Sequence, residues 1–154
     1  NAFGWSPDAS SPEFVETIME SLDGGLPIEI DFLRYSSPIL VTDLGILLLK
    51  AHAAELRGVL HIASSERINP FQFAERLAEL ADLNRPEFPE QTILESPITG
   101  FGKGETTLDC SLAAELLGVR MPLIDDGIGQ FLRQADDGLL HKLRNDTAQV
   151  SRAA

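Results

Sequence analysis

The sequence predicts an α/β fold, an α+β lobe with few short strands and about five helices. Two observations carry that expectation. Apolar residues recur at helical spacing in five stretches, each opened by a capping residue. Short apolar runs bounded by glycine, proline or serine lie between them, as strands do. The composition agrees: 154 residues, 44% hydrophobic and 23% charged, suit one ordinary globular domain.

Taken in order, Asn1–Ser10 reads as the end of a strand running into a loop. Ser11 caps the first helix, with Pro12 at its first position. Phe14, Val15, Ile18, Met19 and Leu22 share one face, and Gly24-Gly25 stops it. Leu26–Asp31 alternates like a short strand, and Phe32–Leu40 is extended, with a turn at Ser37-Pro38. Thr42 caps a second helix reaching about Glu55. Its nearly continuous apolar run, including Leu44, Leu47, Leu48 and Ala51, predicts deep burial. Val59–Ala63 is short and apolar enough to be a buried strand. Asn69, Pro70 and Gln72 open a third helix with a cap, a first-turn proline and a capping-box acceptor; Phe73, Ala74, Leu77, Ala78 and Leu80 pack inward. Gln91–Leu94 reads as a strand and Ser96–Glu105 as a glycine-rich loop. Asp109 or Ser111 starts a short helix ended by Gly118. Asp125 caps the last one, with Ile128, Phe131, Leu132 and Ala135 as its buried stripe. From Asp136 onward the chain is polar and expected to fray.

Twelve basic against twenty-four acidic residues give a formal net charge of −12. Such a field repels phosphate backbones and anionic lipid, so nucleic-acid and membrane-surface binding are disfavoured as general functions. The longest apolar run, around Ile46–Leu49, is far too short to span a bilayer. Cys110 is the only cysteine, which suits a reducing, cytoplasmic compartment. One thiol and three scattered histidines form no metal-ligand pattern.

The loop Gly100-Phe-Gly-Lys-Gly104 is the most suggestive local feature. Backbone N–H groups and the Lys103 charge could cradle a phosphate, although a flexible connection explains the glycines equally well. It is not a nucleoside-triphosphate loop: Pro97 stands where the first glycine belongs, and Gly104 where Ser or Thr belongs. Asp109, Asp125 and Asp126 stand where helices need caps, which fits them better than acid–base catalysis. His61 lies inside an apolar strand pattern, as a core or rim residue; His52 and His141 read as solvated helix positions. Ser64-Ser65 lacks the surroundings of a nucleophile elbow. No glycine fingerprint for a dinucleotide follows any strand. Tyr-x-x-x-Lys is absent too, since Ile39 stands four residues after the single tyrosine, Tyr35.

Several segments carry a resemblance through their order and spacing. They are Asn1-Ala-Phe-Gly-Trp-Ser-Pro7, Phe14–Gly25 with Leu26–Asp31, Ser37-Pro38-Ile-Leu-Val-Thr-Asp43-Leu, Gly58-Val-Leu-His-Ile-Ala-Ser64 and Asn69-Pro-Phe-Gln-Phe-Ala74. Leu108-Asp-Cys-Ser111, Leu116-Leu-Gly118 and Asp126-Gly-Ile128 follow. Together, over residues 1–135, they resemble the C-terminal, substrate-binding part of the dTDP-4-dehydrorhamnose-reductase-like branch of the extended short-chain dehydrogenases. Residues 136–154 remain as a polar tail. The resemblance implies a nucleotide-sugar ligand, no cofactor site in this chain, and NAD(P) held by a missing N-terminal dinucleotide-binding half. It places Phe3 and Trp5 toward the sugar or nicotinamide, unless both rings merely plug the lobe. The family's arginine ahead of the Leu-Asp segment is absent, so Lys103 is the substitute cation and Arg34 a second candidate. The same pattern is similar to the non-catalytic β subunit of methionine adenosyltransferase, so a regulatory module is the alternative. Edges and apolar faces left uncovered predict self-association.

Overall fold

The computed structural model describes residues 1–28, 33–87 and 104–153, with side chains through residue 146. Among them are six helices and four two-residue strands. Strand β1 (Ala2–Phe3) pairs in parallel with β3 (Ile39–Leu40), setting Ala2 against Ile39 and Phe3 against Leu40. Strand β2 (Tyr35–Ser36) pairs in parallel with β4 (Glu105–Thr106), and Ser36 also bridges Ile68. The predicted strand Leu26–Asp31 is coil through residue 28 and otherwise lies outside the described residues, as does Gln91–Leu94.

Helix α1 (Phe14–Asp23) begins after Glu13 rather than at Pro12. Ser11 is already engaged, its N–H on the Asp8 carbonyl and its carbonyl on the Ser6 hydroxyl. The Glu16 carboxylate takes the Glu13 N–H at 3.0 Å instead. Gly25, at φ 61°, ends the helix as expected, with the Leu26 N–H returning to Ser21 O. Helix α2 (Val41–Ala53) starts from Leu40, so Thr42 is no cap. Its hydroxyl accepts from Gln134 Nε2 at 3.0 Å and ties α2 to α5. Helix α3 (Pro70–Leu80) has the predicted capping box: the Gln72 N–H donates to Asn69 Oδ1 at 2.8 Å, and the Asn69 N–H to Gln72 Oε1 at 3.1 Å. Helix α4 (Ser111–Leu117) follows Asp109, whose carboxylate accepts the Ser111 N–H and hydroxyl, and stops at left-handed Gly118.

Helix α5 (Ile124–Asp136) also departs from expectation. Asp125 sits inside its first turn, while Glu66, far back in the chain, accepts the Ile124 N–H at 2.6 Å. A carboxylate there suits the positive end of a helix. Ala135 is exposed, and Gln134 takes the inward place. The polar segment expected to fray is helix α6 (Leu139–Ala153). Arg144 anchors it, donating from Nη2 to buried Glu16 at 2.7 Å. That carboxylate gathers the Ser6 N–H as well, so α6, α1 and the strap after β1 share one anion.

Two apolar clusters result. The larger joins Phe3, Val15, Ile18, Leu22, Leu40 and Phe73 to Leu77, Ile124, Ile128 and Phe131, and so sits between β1, α1, α3 and α5. The smaller gathers Ile39, Leu47, Ala63, Cys110, Ala113 and Met121 beneath α2 and α4. Two expectations fail around it. Val59–Ala63 pairs with no strand among the described residues, and Val59 is 85% exposed. Helix α2 buries only Leu47, while Ile46, Leu48 and Leu49 stand in the open. A strand and a bifacial helix need cover on both sides, and the described residues supply it on one.

Candidate functional site

A cleft of about 390 Å³ opens where β1, the β2–β3 joint and the start of α3 meet. Asn1, Ala2 and Phe3 form one wall, Ser36 and Pro38 a second, and Ile68, Asn69, Pro70 and Phe73 a third; Phe14 of α1 stands at the rim. Local sequence explains the shape. Parallel pairing with β3 holds β1 extended, and the Ser36–Ile68 bridge, a pair of 3.0 Å backbone hydrogen bonds, fixes the second wall against the third. The Asn69–Gln72 box and Pro70 fix where α3 begins. Phe14 is 54% exposed, so its ring is available to a ligand.

Chemically, the cleft offers aromatic and proline surfaces with a small set of polar groups on Asn1, Ser36 and Asn69. None of the side chains lining it is an acid, a base or a thiol. Such a lining is chemically suited to contact and hydrogen bonding, and its side chains offer no group for proton transfer.

Among the described residues, the sequence-predicted Phe3, Trp5 and Arg34 are not brought together at the cleft. Phe3 reaches the cleft, but its ring is buried, packing edge-on against Phe73 at 5.1 Å and Phe131 at 6.2 Å. Trp5 stacks on Phe131 at 4.1 Å and donates its indole N–H to the Phe131 carbonyl at 2.9 Å. Of the two readings of these rings, the geometry favours core packing, most fully for Trp5. Arg34 is exposed just before β2 and is not among the cleft residues. Lys103 lies outside the described residues. Sequence reasoning passed over Phe14, Ser36 and Asn69. The signal was there for Asn69, but its role as a helix cap accounted for it fully.

Several charged residues outside the cleft are paired with one another. Arg67 donates to Glu105 at 2.7 Å and lies 3.4 Å over the Tyr35 ring. Arg76 bridges Glu66 at 2.8 Å and Asp125 at 3.2 Å. Burial pushes the Glu66 carboxyl upward, yet the Ile124 N–H and Arg76 outweigh it and hold its pKa below the usual value. The Ser111 hydroxyl and N–H lower Asp109, the mark of a helix-start anion and not of a proton donor. His61 is exposed, not a core residue, and Cys110 is buried, its thiol pKa raised by that burial. Among the described residues, no three His, Cys, Asp or Glu side chains gather as metal ligands, and no helix is long and apolar enough to cross a membrane.

The sequence matches no protein-family model and no curated protein. Solved structures do match. The dTDP-4-dehydrorhamnose reductase of Bacillus anthracis str. Ames, solved in complex with NADP, superposes with a TM-score of 0.71 at 20% identity, over 86% of this chain and 46% of that one. The chain carries part of the dTDP-4-dehydrorhamnose-reductase fold. The Bordetella bronchiseptica enzyme WbmF, in complex with NAD+ and UDP, gives 0.63 at 18% identity, over 97% of this chain and 48% of that one. A UDP-glucose 4-epimerase of Thermotoga maritima, with UDP-glucose, gives 0.62 at 19% identity, over 90% and 44% respectively. The chain thus spans about half the length of the structures it matches.

Proposed function

We propose that this chain is the C-terminal, substrate-side part of an NAD(P)-dependent reductase of 4-keto nucleotide-sugars, and that the cleft beside β1 receives the nucleotide-sugar. The carrying observation is the cleft itself: three aromatic rings and three polar side chains around about 390 Å³, on a fold shared with proteins solved with UDP and UDP-glucose. Phe14 would cover one face of the ligand, while Asn1, Ser36 and Asn69 would fix its orientation. On this reading NAD(P) and the proton donor belong to a dinucleotide-binding half, because nothing that lines the cleft suits either task; Lys103 and Arg34 stay secondary candidates for the diphosphate. A cytoplasmic location belongs to the same proposal.

Thermal unfolding in the presence of UDP, dTDP, UDP-glucose and dTDP-glucose tests it. A ligand at a hundred times its dissociation constant stabilises by about 2.7 kcal/mol, which moves the midpoint of a chain this size by roughly 5–10 °C. Phe14→Ala, at an exposed position, should shrink the shift and leave the unliganded midpoint unchanged. No shift with any of the four at millimolar concentration would remove the nucleotide-sugar reading.

A further inference from the structure

A second groove, of about 360 Å³, runs along the outer face of α3 and shares only Ile68 with the cleft. Three arginines line it, in a chain whose net charge is −12. Each is set by a different part of the frame. Arg67, one residue before the Ile68–Ser36 bridge, lies 3.4 Å over the Tyr35 ring and donates from Nε to Glu105. Arg76, in the middle of α3, donates from Nη1 to Glu66 and Asp125. These bonds use one nitrogen of each guanidinium, so N–H donors remain on both. Arg85 follows the end of α3, where the Leu83 N–H returns to Ala78 O at 2.9 Å and Asn84 Nδ2 donates to Leu22 O at 2.9 Å. It is exposed and makes no ion pair among the described residues.

Two carboxylates line the same groove without joining these cations. Glu75 and Glu79 are exposed, share the stripe of Gln72 and Arg76, and make no ion pair among the described residues. Arg76 stands three residues before Glu79, within reach along the helix, yet turns to Glu66 and Asp125. Like charges four residues apart weaken a helix slightly, so local stability does not account for the pair.

We infer that this groove binds a sugar monophosphate, with its phosphate among Arg67, Arg76 and Arg85 and its hydroxyls on Glu75 and Glu79. Planar guanidiniums offer two parallel N–H bonds to one phosphate, which a point charge does not. A bare anion is poorly served, because Glu75 and Glu79 repel it. The same carboxylates only accept hydrogen bonds, and a polyhydroxy ring supplies the donors. Glu66, Asp125 and Glu105 hold Arg67 and Arg76 in place and offset their charge, which leaves Arg85 as the uncompensated cation. Affinity should therefore be weak, with dissociation at about one millimolar. Cleft and groove have no lining residue in common except Ile68, so this ligand needs no nucleotide-sugar in the cleft.

Amide chemical shifts of the 15N-labelled 154-residue chain, titrated with glucose 1-phosphate, inorganic phosphate and glucose in turn, test this. Glucose 1-phosphate should saturate at millimolar concentration and move amides between Arg67 and Arg85. Inorganic phosphate should bind about tenfold more weakly, and glucose should move nothing. Arg85→Ala, at an exposed and unpaired position, should weaken the sugar phosphate about tenfold with an unchanged circular dichroism spectrum. Glu75→Gln/Glu79→Gln should narrow the gap between sugar phosphate and inorganic phosphate. No shifts with glucose 1-phosphate at ten millimolar overturn the assignment, as does binding that Arg85→Ala leaves intact. An unchanged gap in the glutamine variant removes the role of the carboxylates and overturns the sugar. Shifts centred on Phe3 and Phe14 would put the ligand in the cleft and equally overturn it.

Discussion

Removing the Arg144 guanidinium tests whether the C-terminal helix is part of the fold or an appendage. Arg144→Met keeps the aliphatic stem and deletes the 2.7 Å bond to Glu16 Oε1 and the weaker 3.4 Å contact to Ser6 O. Hydrogen bonds to charged groups contribute about 1.5–3 kcal/mol. Glu16 is 6% exposed at its side chain but Arg144 is 33% exposed, and solvent screening brings the expectation to the lower end, about 1.5 kcal/mol. For a chain of this length that is roughly 3–6 °C in thermal midpoint. Glu16→Gln should cost more, about 2–3 kcal/mol. Its amide oxygen can still receive the Ser6 and Glu13 N–H groups, but its NH2 then faces the Arg144 donor. The double variant should lose less than the sum of the single losses, with a coupling of about 1 kcal/mol in urea denaturation. Additive losses, or an Arg144→Met variant within about 0.3 kcal/mol of the parent, would show that the anchor contributes nothing.

Gly4→Ala should destabilise by about 1–3 kcal/mol, since its Cβ would fall 2.5 Å from Val41 Cγ1; adding Val41→Ala should recover most of that in urea unfolding. Glu66 gives a pH dependence: its depressed folded pKa contributes stability above the unfolded value of about 4.3 and loses it as pH falls through the lower folded value. Urea midpoints of Glu66→Gln should therefore lie below the parent's at neutral pH and converge with them in acid; parallel curves would refute the assignment. Phe131→Leu should cost about 1–3 kcal/mol and shift the emission of Trp5, the only tryptophan, because the stacked ring at 4.1 Å is lost; unchanged emission would mean that the stack does not form.

What was legible in the sequence was what neighbouring residues decide. The α3 capping box, the stops at Gly25 and Gly118 and the α4 start at Ser111, held by Asp109, each depend on a few adjacent positions, and each stands where expected. Ends fixed from a distance were not legible. Glu66 meets the first turn of α5 from 58 residues away, and Thr42 is recruited by Gln134 across 92, so neither Asp125 nor Thr42 acts as the expected cap. Helix α6 was missed because its own pattern is polar; packing along α5 and an arginine on a buried carboxylate hold it, and spacing along a single helix does not reveal such a bond. For the cleft, Phe3 was named and does reach it; for Trp5 the resemblance left two places open, toward the ligand or plugging the lobe, and stacking on Phe131 and an indole hydrogen bond take up both its face and its N–H.

The failed burial expectations around the smaller cluster point the same way. Val59–Ala63 has strand composition and α2 has the composition of a buried helix, and both border the smaller cluster, where side chains from α2 and α4 also face outward. Local propensity and hydrophobic pattern therefore agree with each other and disagree with the observed exposure. Two independent sequence signals therefore ask for burial at a place that the described residues leave exposed. Around the larger cluster, which β1, α1, α3 and α5 enclose, the mismatch is confined to single positions at helix ends: Phe14, Leu80 and Ala135 were expected inward and are exposed. The cleft lies on this completed side, between β1 and α3. The open face of α2 and the cleft therefore separate experimentally: Phe14→Ala should weaken a nucleotide-induced thermal shift, and Leu49→Glu, on the exposed side of α2, should leave that shift unchanged. A shift lost in Leu49→Glu would make the α2 face part of the ligand site and refute its placement beside β1 and α3.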